Sequence, residues 1–369
     1  MAPSATGSET VTPVPVTPGK LGQAKPWLKS TGILDQYESF EVTPVIGREY
    51  PRANLVSWLN ADNSDELLRE LALTISQRGV VFFRAQDDLT ADLQKELVQK
   101  LGLLSGKPAT SGLHIHPVLN SERENYRVSD PEISTIDSEL NKKLYLNNSR
   151  IAQKKQNSGQ WHSDIAFEPK PADYSSLRLV NLPTTGGDTL WASGYEIYDR
   201  LSPPYRKFLE GLTGTFEQPG FIETAARNGF QIYDKPRGAP ENIGKELKAV
   251  HPVVRTNPVT GWKSVFPIGG HISHINDVTE LESKALLDWF VRLLVDNHDL
   301  QVRFKWQNPN DIAIWDNRST FHSATYDIEG YGERYGVRTV SVGEQPFFDP
   351  ESKSRSEDLA ANATVAAAN

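Results

Sequence analysis

No cysteine occurs in the 369 residues, which excludes disulfides, a thiolate nucleophile, Cys-ligated zinc and iron–sulfur clusters. Any metal must therefore be held by His, Asp or Glu. No run approaches the roughly 18 apolar residues of a membrane span, and the N-terminus lacks the apolar centre of a secretion signal, so the cytosol is the expected compartment. An excess of positive charge is missing too. The 39 Lys and Arg against 47 Asp and Glu give a net charge of −8, which argues against nucleic acid or a membrane surface as partner but leaves room for a local basic pocket. Asn147-Asn148-Ser149 and Asn362-Ala363-Thr364 fit the glycosylation pattern, but without a secretory route they read as chance matches.

What is present suits a globular body with plain ends. Hydrophobic residues make up 38%, and eight Trp with fourteen Phe suffice for one large core. Residues 1–40 are rich in Pro, Thr, Ser and Gly and read as a flexible arm. Residues 352–369, polar and then Ala-rich, read as a flexible tail. The 41–351 stretch is expected to be one domain.

Apolar spacing predicts helices over Asp65–Gln77, Ala91–Leu101, 194–213 and 278–297. VVFFR after Gly79 reads as a buried strand. Residues 120–160 are polar and weakly patterned, too long for an ordinary connection, and so form a candidate lid or subunit contact. From Trp161 onward, short β-type runs follow one another: HSDIAF, SSLRLVNL, DTLWAS, HPVVRT, WKSVFP, QVRFKW, DIAIWD and RYGVRTVSV. The pattern favours an α+β fold, an antiparallel barrel or jelly roll (a double-stranded β-helix core) with helices packed outside.

Within WHSDIAF, His162 and Asp164 are two apart, and on a strand both side chains would project from one face. His322, after the DIAIWD strand, could complete the two-His, one-carboxylate set that leaves coordination positions open on iron(II). The tripeptide alone fits equally a hydrogen-bonded histidine beside a turn aspartate. Arg334 and Arg338, in RYGVRTVSV, would share a strand face. Two arginines directed into a barrel interior would be costly without anions, unless they are exposed or pair with Glu333 or Glu344.

At these residues the chain resembles the taurine dioxygenase-like branch of the iron(II)/2-oxoglutarate dioxygenases, including its fungal sulfonate dioxygenases. The likeness runs from about Gly79 to Phe347 through VVFFR, LHIHPV, WHSDIAF, LPTTGGDTLWASG, HPVVRTNPVTG, QVRFKW and DIAIWDNRSTFH. It implies iron(II) on His162, Asp164 and His322, and the far carboxylate of the cosubstrate 2-oxoglutarate on Arg334 and Thr189. It further implies a substrate sulfonate on His116 and Arg338 near the backbone of Ile165, with dioxygen as co-reactant and a dimer or tetramer as assembly.

The implied reaction hydroxylates an organosulfonate next to sulfur and yields sulfite, an aldehyde, succinate and CO2. Leu119 and Ser158 stand where taurine-specific members carry Tyr and Asn, and Ile268, His271 and His274 differ as well, which leaves the organic end of the substrate open. An alkyl sulfate ester, an aryloxy carboxylate or a purine is the alternative within the chemistry. An inactive metal- or anion-binding jelly roll is the alternative outside it.

Overall fold

The computed structural model describes residues 27–120, 127–145 and 160–368. A seven-stranded sheet forms the centre, in the order Phe40–Glu41, Arg48–Tyr50, Val80–Phe83, Ile312–Asp316, Ala172–Asn181, Tyr335–Val342 and Ser134–Asp137. Its pairs are antiparallel except Arg48–Tyr50 with Val80–Phe83. The four central residues VVFF are all buried, as expected of a strand covered on both faces.

One face of this sheet takes two helices, Ser64–Arg78 and Ala91–Ser105. Leu67, Leu68, Leu71, Ile75, Leu97, Val98 and Leu101 pack there on Val81, Phe83, Ile312 and Ile314. Phe82, Leu177 and Trp315 point the other way, against Trp191, Val302 and Phe304 of a three-stranded sheet ordered Gln301–Phe304, Thr189–Ser193, Thr320–Ala324. Phe82 stacks on Phe304 at 4.1 Å and meets Trp191 edge-on at 5.4 Å, so the layers interlock through aromatic rings. A second three-stranded sheet (Ile272–Ile275, Thr213–Glu217, Lys248–Pro252) and the pair Val254–Thr256 with Lys263–Val265 extend the β layer. The result is α+β, with helices outside antiparallel sheets.

Several expectations change. His162 is an isolated antiparallel bridge to His322, and Asp164 begins a turn, so the two residues do not sit on a continuous strand. The helix expected over 194–213 is two, Gly194–Asp199 and Pro203–Leu209, the second opening on proline, whose fixed φ starts a helix but cannot continue one. Ser134–Asp137, inside the candidate lid, is an edge strand of the large sheet. Its buried residues are mostly polar, and Asp137 accepts from the backbone of Glu139 (2.8 Å) and Leu140 (3.0 Å) to cap helix Ser138–Tyr145, so hydrophobic patterning could not show it. Residues 121–126 and 146–159 of that segment, with Ser158, lie outside the described residues.

Arg355–Ala368, read as a tail, is a helix. Ser354 and Glu357 cap each other's backbone at 3.3 and 2.9 Å, Ala favours the helix that follows, and Arg355 binds Glu196 at 2.7 Å. In the arm, residues 1–26 lie outside the described residues, while the Thr31 amide donates to Glu70 at 2.9 Å and Leu34 is buried. Among the described residues no helix is long and apolar enough to cross a membrane.

Candidate metal centre

The antiparallel pair His162–His322 exchanges both backbone hydrogen bonds, at 3.1 and 2.9 Å, so their side chains leave the backbone on the same side. The ring centroids lie 4.2 Å apart. Asp164 Oδ1 sits 3.8 Å from each Nε2, and one ligand atom from each of the three residues lies within 4.8 Å of the others. His162 Nδ1 donates to the Gln160 carbonyl at 2.8 Å, which turns Nε2 toward Asp164. His322 stacks on Trp315 at 4.8 Å, and its Nδ1 is buried with no hydrogen-bond partner among the described residues. Burial first, then the neighbouring His162, depresses His322 to about 3, so it is a neutral ligand. Two imidazoles and a carboxylate around one point suit a divalent iron with open positions.

Asp164 is held ionised. Burial raises its pKa, but Arg338, His322, His162 and the Ser175 hydroxyl together outweigh burial and pull it well below the carboxylate range. Arg338 Nη1 donates to Oδ1 at 2.9 Å and Ser175 Oγ to Oδ2 at 2.8 Å. The next residue, Ile165, has φ +47, a strained value for a β-branched side chain. His251 braces the turn beyond, its Nε2 on the carbonyls of Ala166 (3.0 Å) and Glu168 (3.1 Å).

The two arginines end in different places. Arg334 is buried, with Nε on the Gly187 carbonyl at 2.8 Å and Nη2 on Thr189 Oγ1 at 3.2 Å. Gly187, at φ +71, admits this approach, since a Cβ there would lie 2.9 Å from Arg334 Cδ. Among the described residues no acid forms an ion pair with Arg334. Asp188 attracts it from farther off but binds Arg303 at 2.7 Å. Burial lowers its pKa to about 10, still fully charged at neutral pH. Glu333 instead binds Arg127, and Glu344 binds Arg255 at 2.6 Å, so neither neutralises Arg334 or Arg338.

His116 is buried, and its Nδ1 accepts from the amides of Val118 (3.0 Å) and Leu119 (2.9 Å). The proton is therefore on Nε2, an N–H donor. Burial and then Arg338 push its pKa well down. Arg338 Nε is also buried without a partner among the described residues.

Three features were not assigned a part by the sequence. His271 stands edge-on to His162 at 5.7 Å and to Phe167 at 5.2 Å, its Nδ1 2.9 Å from Gln218 Nε2. A buried group joins His114, Glu168 and Arg237, with His114 Nε2 at 3.2 Å and Arg237 Nη2 at 2.9 Å from the carboxylate. Asn317, inside the quoted DIAIWDNRSTFH run, touches the backbone of Asp164. Asn and Ser beside a ligand have no signature of their own, so only the Asn317 neighbourhood of His322 hinted at a part.

The comparisons agree with this geometry. Residues 38–340 match the family model "Taurine catabolism dioxygenase TauD, TfdA family". The alpha-ketoglutarate-dependent dioxygenase btcD of Neocamarosporium betae is 52% identical over 89% of this chain and 97% of its own length. The alpha-ketoglutarate-dependent sulfonate dioxygenase of Saccharomyces cerevisiae is 32% identical over 84% of this chain and 68% of its own. A crystal structure of a taurine dioxygenase from Burkholderia xenovorans superposes with a TM-score of 0.60 at 27% identity, over 85% of this chain and 92% of that one.

Proposed function

Because the chain belongs to the taurine catabolism dioxygenase (TauD, TfdA) family, and so is an enzyme dependent on iron(II) and 2-oxoglutarate, we propose that it hydroxylates an organosulfonate at the carbon next to sulfur. The observation that carries the proposal is a pair of guanidinium groups, Arg334 buried on Gly187 and Thr189 and Arg338 half-buried against Asp164. One has no acidic partner, and the other has an unused buried N–H. Arg334 is a place for an anion, since a buried cation without one is costly, and Arg338, already paired with Asp164, has its buried Nε–H left to offer a second. A double-stranded β-helix core is part of the reading and agrees with the two packed β layers.

In this reading His162, Asp164 and His322 hold iron(II), which with 2-oxoglutarate supplies the oxidation of a C–H bond by dioxygen. Arg334, pre-set by Gly187 and Thr189, receives the far carboxylate of 2-oxoglutarate. Arg338 Nε and His116 Nε2–H receive the sulfonate, near the Ile165 peptide. Neutral His116 can donate there without adding a second cation. The residues thus orient the cosubstrate and bring the substrate carbon to the metal's open side. 2-Oxoglutarate would lose CO2 as one oxygen atom of dioxygen enters succinate and the other the substrate. The resulting hydroxyl loses its proton, the C–S bond breaks with its electron pair on sulfur, and sulfite and an aldehyde leave.

Substrates other than sulfonates form the second class. The relative at 52% identity is named only for its cosubstrate, and the sulfonate-named yeast relative stands at 32%. The two classes separate in one experiment, a panel of sulfonates, alkyl sulfates, aryloxy carboxylates and purines with iron(II) and 2-oxoglutarate, scored for sulfite and succinate together. Sulfite in step with succinate is expected for a sulfonate. Succinate without sulfite on every sulfonate would sink the proposal while leaving the dioxygenase chemistry in place.

A further inference from the structure

We infer that Asn317 and Ser175 are positioning residues for Asp164, forming a hydrogen-bond relay that fixes which carboxylate oxygen faces the metal. The inference rests on the metal site described above. Asp164 lies in a turn, followed by the strained Ile165, so its local backbone does not by itself hold the carboxylate in place. The restraint comes from elsewhere in the chain.

The direction of every bond in the relay follows from obligatory donors. The Asp164 backbone N–H (3.0 Å) and Trp315 Nε1–H (3.0 Å) can only donate, so both must meet the Asn317 carbonyl oxygen, Oδ1. The amide is thereby oriented, and Nδ2 donates to Ser175 Oγ at 2.9 Å and to the Asp173 carbonyl at 3.3 Å. Ser175, having accepted, turns its one proton to Asp164 Oδ2 at 2.8 Å. Ser163 Oγ donates to the backbone carbonyl of Asn317 at 2.8 Å and joins the same two segments again.

Oδ2 is thus held by the relay, while Oδ1 takes its one protein bond from Arg338 Nη1 at 2.9 Å. Oδ1 is the oxygen 3.8 Å from both imidazole Nε2 atoms. Ser175 and Asn317 are fully buried, and in a low-dielectric interior such a chain of bonds is directional and mutually reinforcing. The relay tells the carboxylate which oxygen to present, and outer partners of this kind govern metal affinity.

The test is a Co(II) titration of the apoprotein, read by its visible d–d bands, with thermal melting of each metal-free variant. Ser175→Thr and Ser175→Val add the same bulk and differ in the hydroxyl alone, so any packing defect is common to both. Ser175→Val and Asn317→Ala are expected to bind Co(II) roughly 10–100-fold more weakly with displaced bands, and Ser175→Thr to stay within about 3-fold of wild type with its spectrum. Should the extra methyl unfold both, Ser175→Ala against wild type carries the same comparison. Equal affinity and identical spectra for the Thr and Val variants would overturn the relay as a determinant of the site. Wild type binding no more Co(II) than His162→Ala would overturn the metal site itself, and the relay with it.

Discussion

Replacing Arg334 by Met should move two measurements in opposite directions. A guanidinium depressed from 12.5 to about 10 carries about 3 kcal/mol of desolvation that the metal- and cosubstrate-free fold does not offset. Met keeps the length and removes the charge. The Gly187 carbonyl then loses its 2.8 Å partner, which costs about 1 kcal/mol, whereas Thr189 keeps Trp306 Nε1 at 3.2 Å. The variant is therefore expected to be more stable by about 2 kcal/mol and to melt about 3 °C higher. Binding should go the other way. A carboxylate left without its cation loses about 3 kcal/mol, roughly 150-fold in Kd for 2-oxoglutarate. Calorimetric melts of the apoprotein give the first quantity. Anaerobic titration of iron(II)-loaded protein, followed by its weak visible charge-transfer band, gives the second. A variant that melts at or below wild type and still binds 2-oxoglutarate within about 3-fold would refute the assignment of Arg334 as an unneutralised anion anchor.

Three other perturbations have expected outcomes. Arg338→Ala should raise KM for a sulfonate roughly 100-fold while 2-oxoglutarate affinity stays within about 3-fold, measured by sulfite release and by titration; equal losses would mean the two arginines are wrongly apportioned. Gly269→Ala should destabilise by more than about 3 kcal/mol in urea, because its φ is +94 and a Cβ would lie 1.6 Å from the Trp161 carbonyl oxygen; a mild effect would show that the Gly269 loop is not pinned to the His162 segment. Burial holds His251 and His322 neutral with pKa values near 3. Their contribution to apoprotein stability is full above the unfolded value near 6.5 and is lost as pH falls through the window from 6.5 to 3, at about 1.4 kcal/mol per histidine per pH unit. Urea unfolding at pH 7.0 and 5.5 checks this, and an unchanged midpoint would contradict it.

The core was the most legible part of the chain. Periodicity placed Ser64–Arg78 and Ala91–Ser105, and the apolar runs placed Val80–Phe83 and Ile312–Asp316, because burial of both faces leaves a continuous apolar trace. Polar structure was not legible. Ser134–Asp137 is a strand of hydroxyls and a capping carboxylate, and Ser354 with Glu357 starts a helix where composition alone suggested a tail. At the centre, His162, Asp164 and His322 do converge, but by another route than a shared strand face. His162 is brought there by pairing with His322, and Asp164 by Asn317 and Ser175. Spacing in the sequence named residues that converge but assigned them the wrong backbone. Partners that act through one hydrogen bond from 153 residues away leave no periodic signal to read.

The His162–His322 bridge also bears on how the enzyme matures. Its halves are 160 residues apart, and the turn carrying Asp164 is tied to a strand end almost as distant. A nascent chain therefore has no partial cage with which to capture iron, and loading must follow closure of the sheets. Once bound, the ion bridges distant segments and raises the barrier to separating them, much as a crosslink over a long loop would. Metal-loaded protein is then expected to unfold more slowly than the metal-free form.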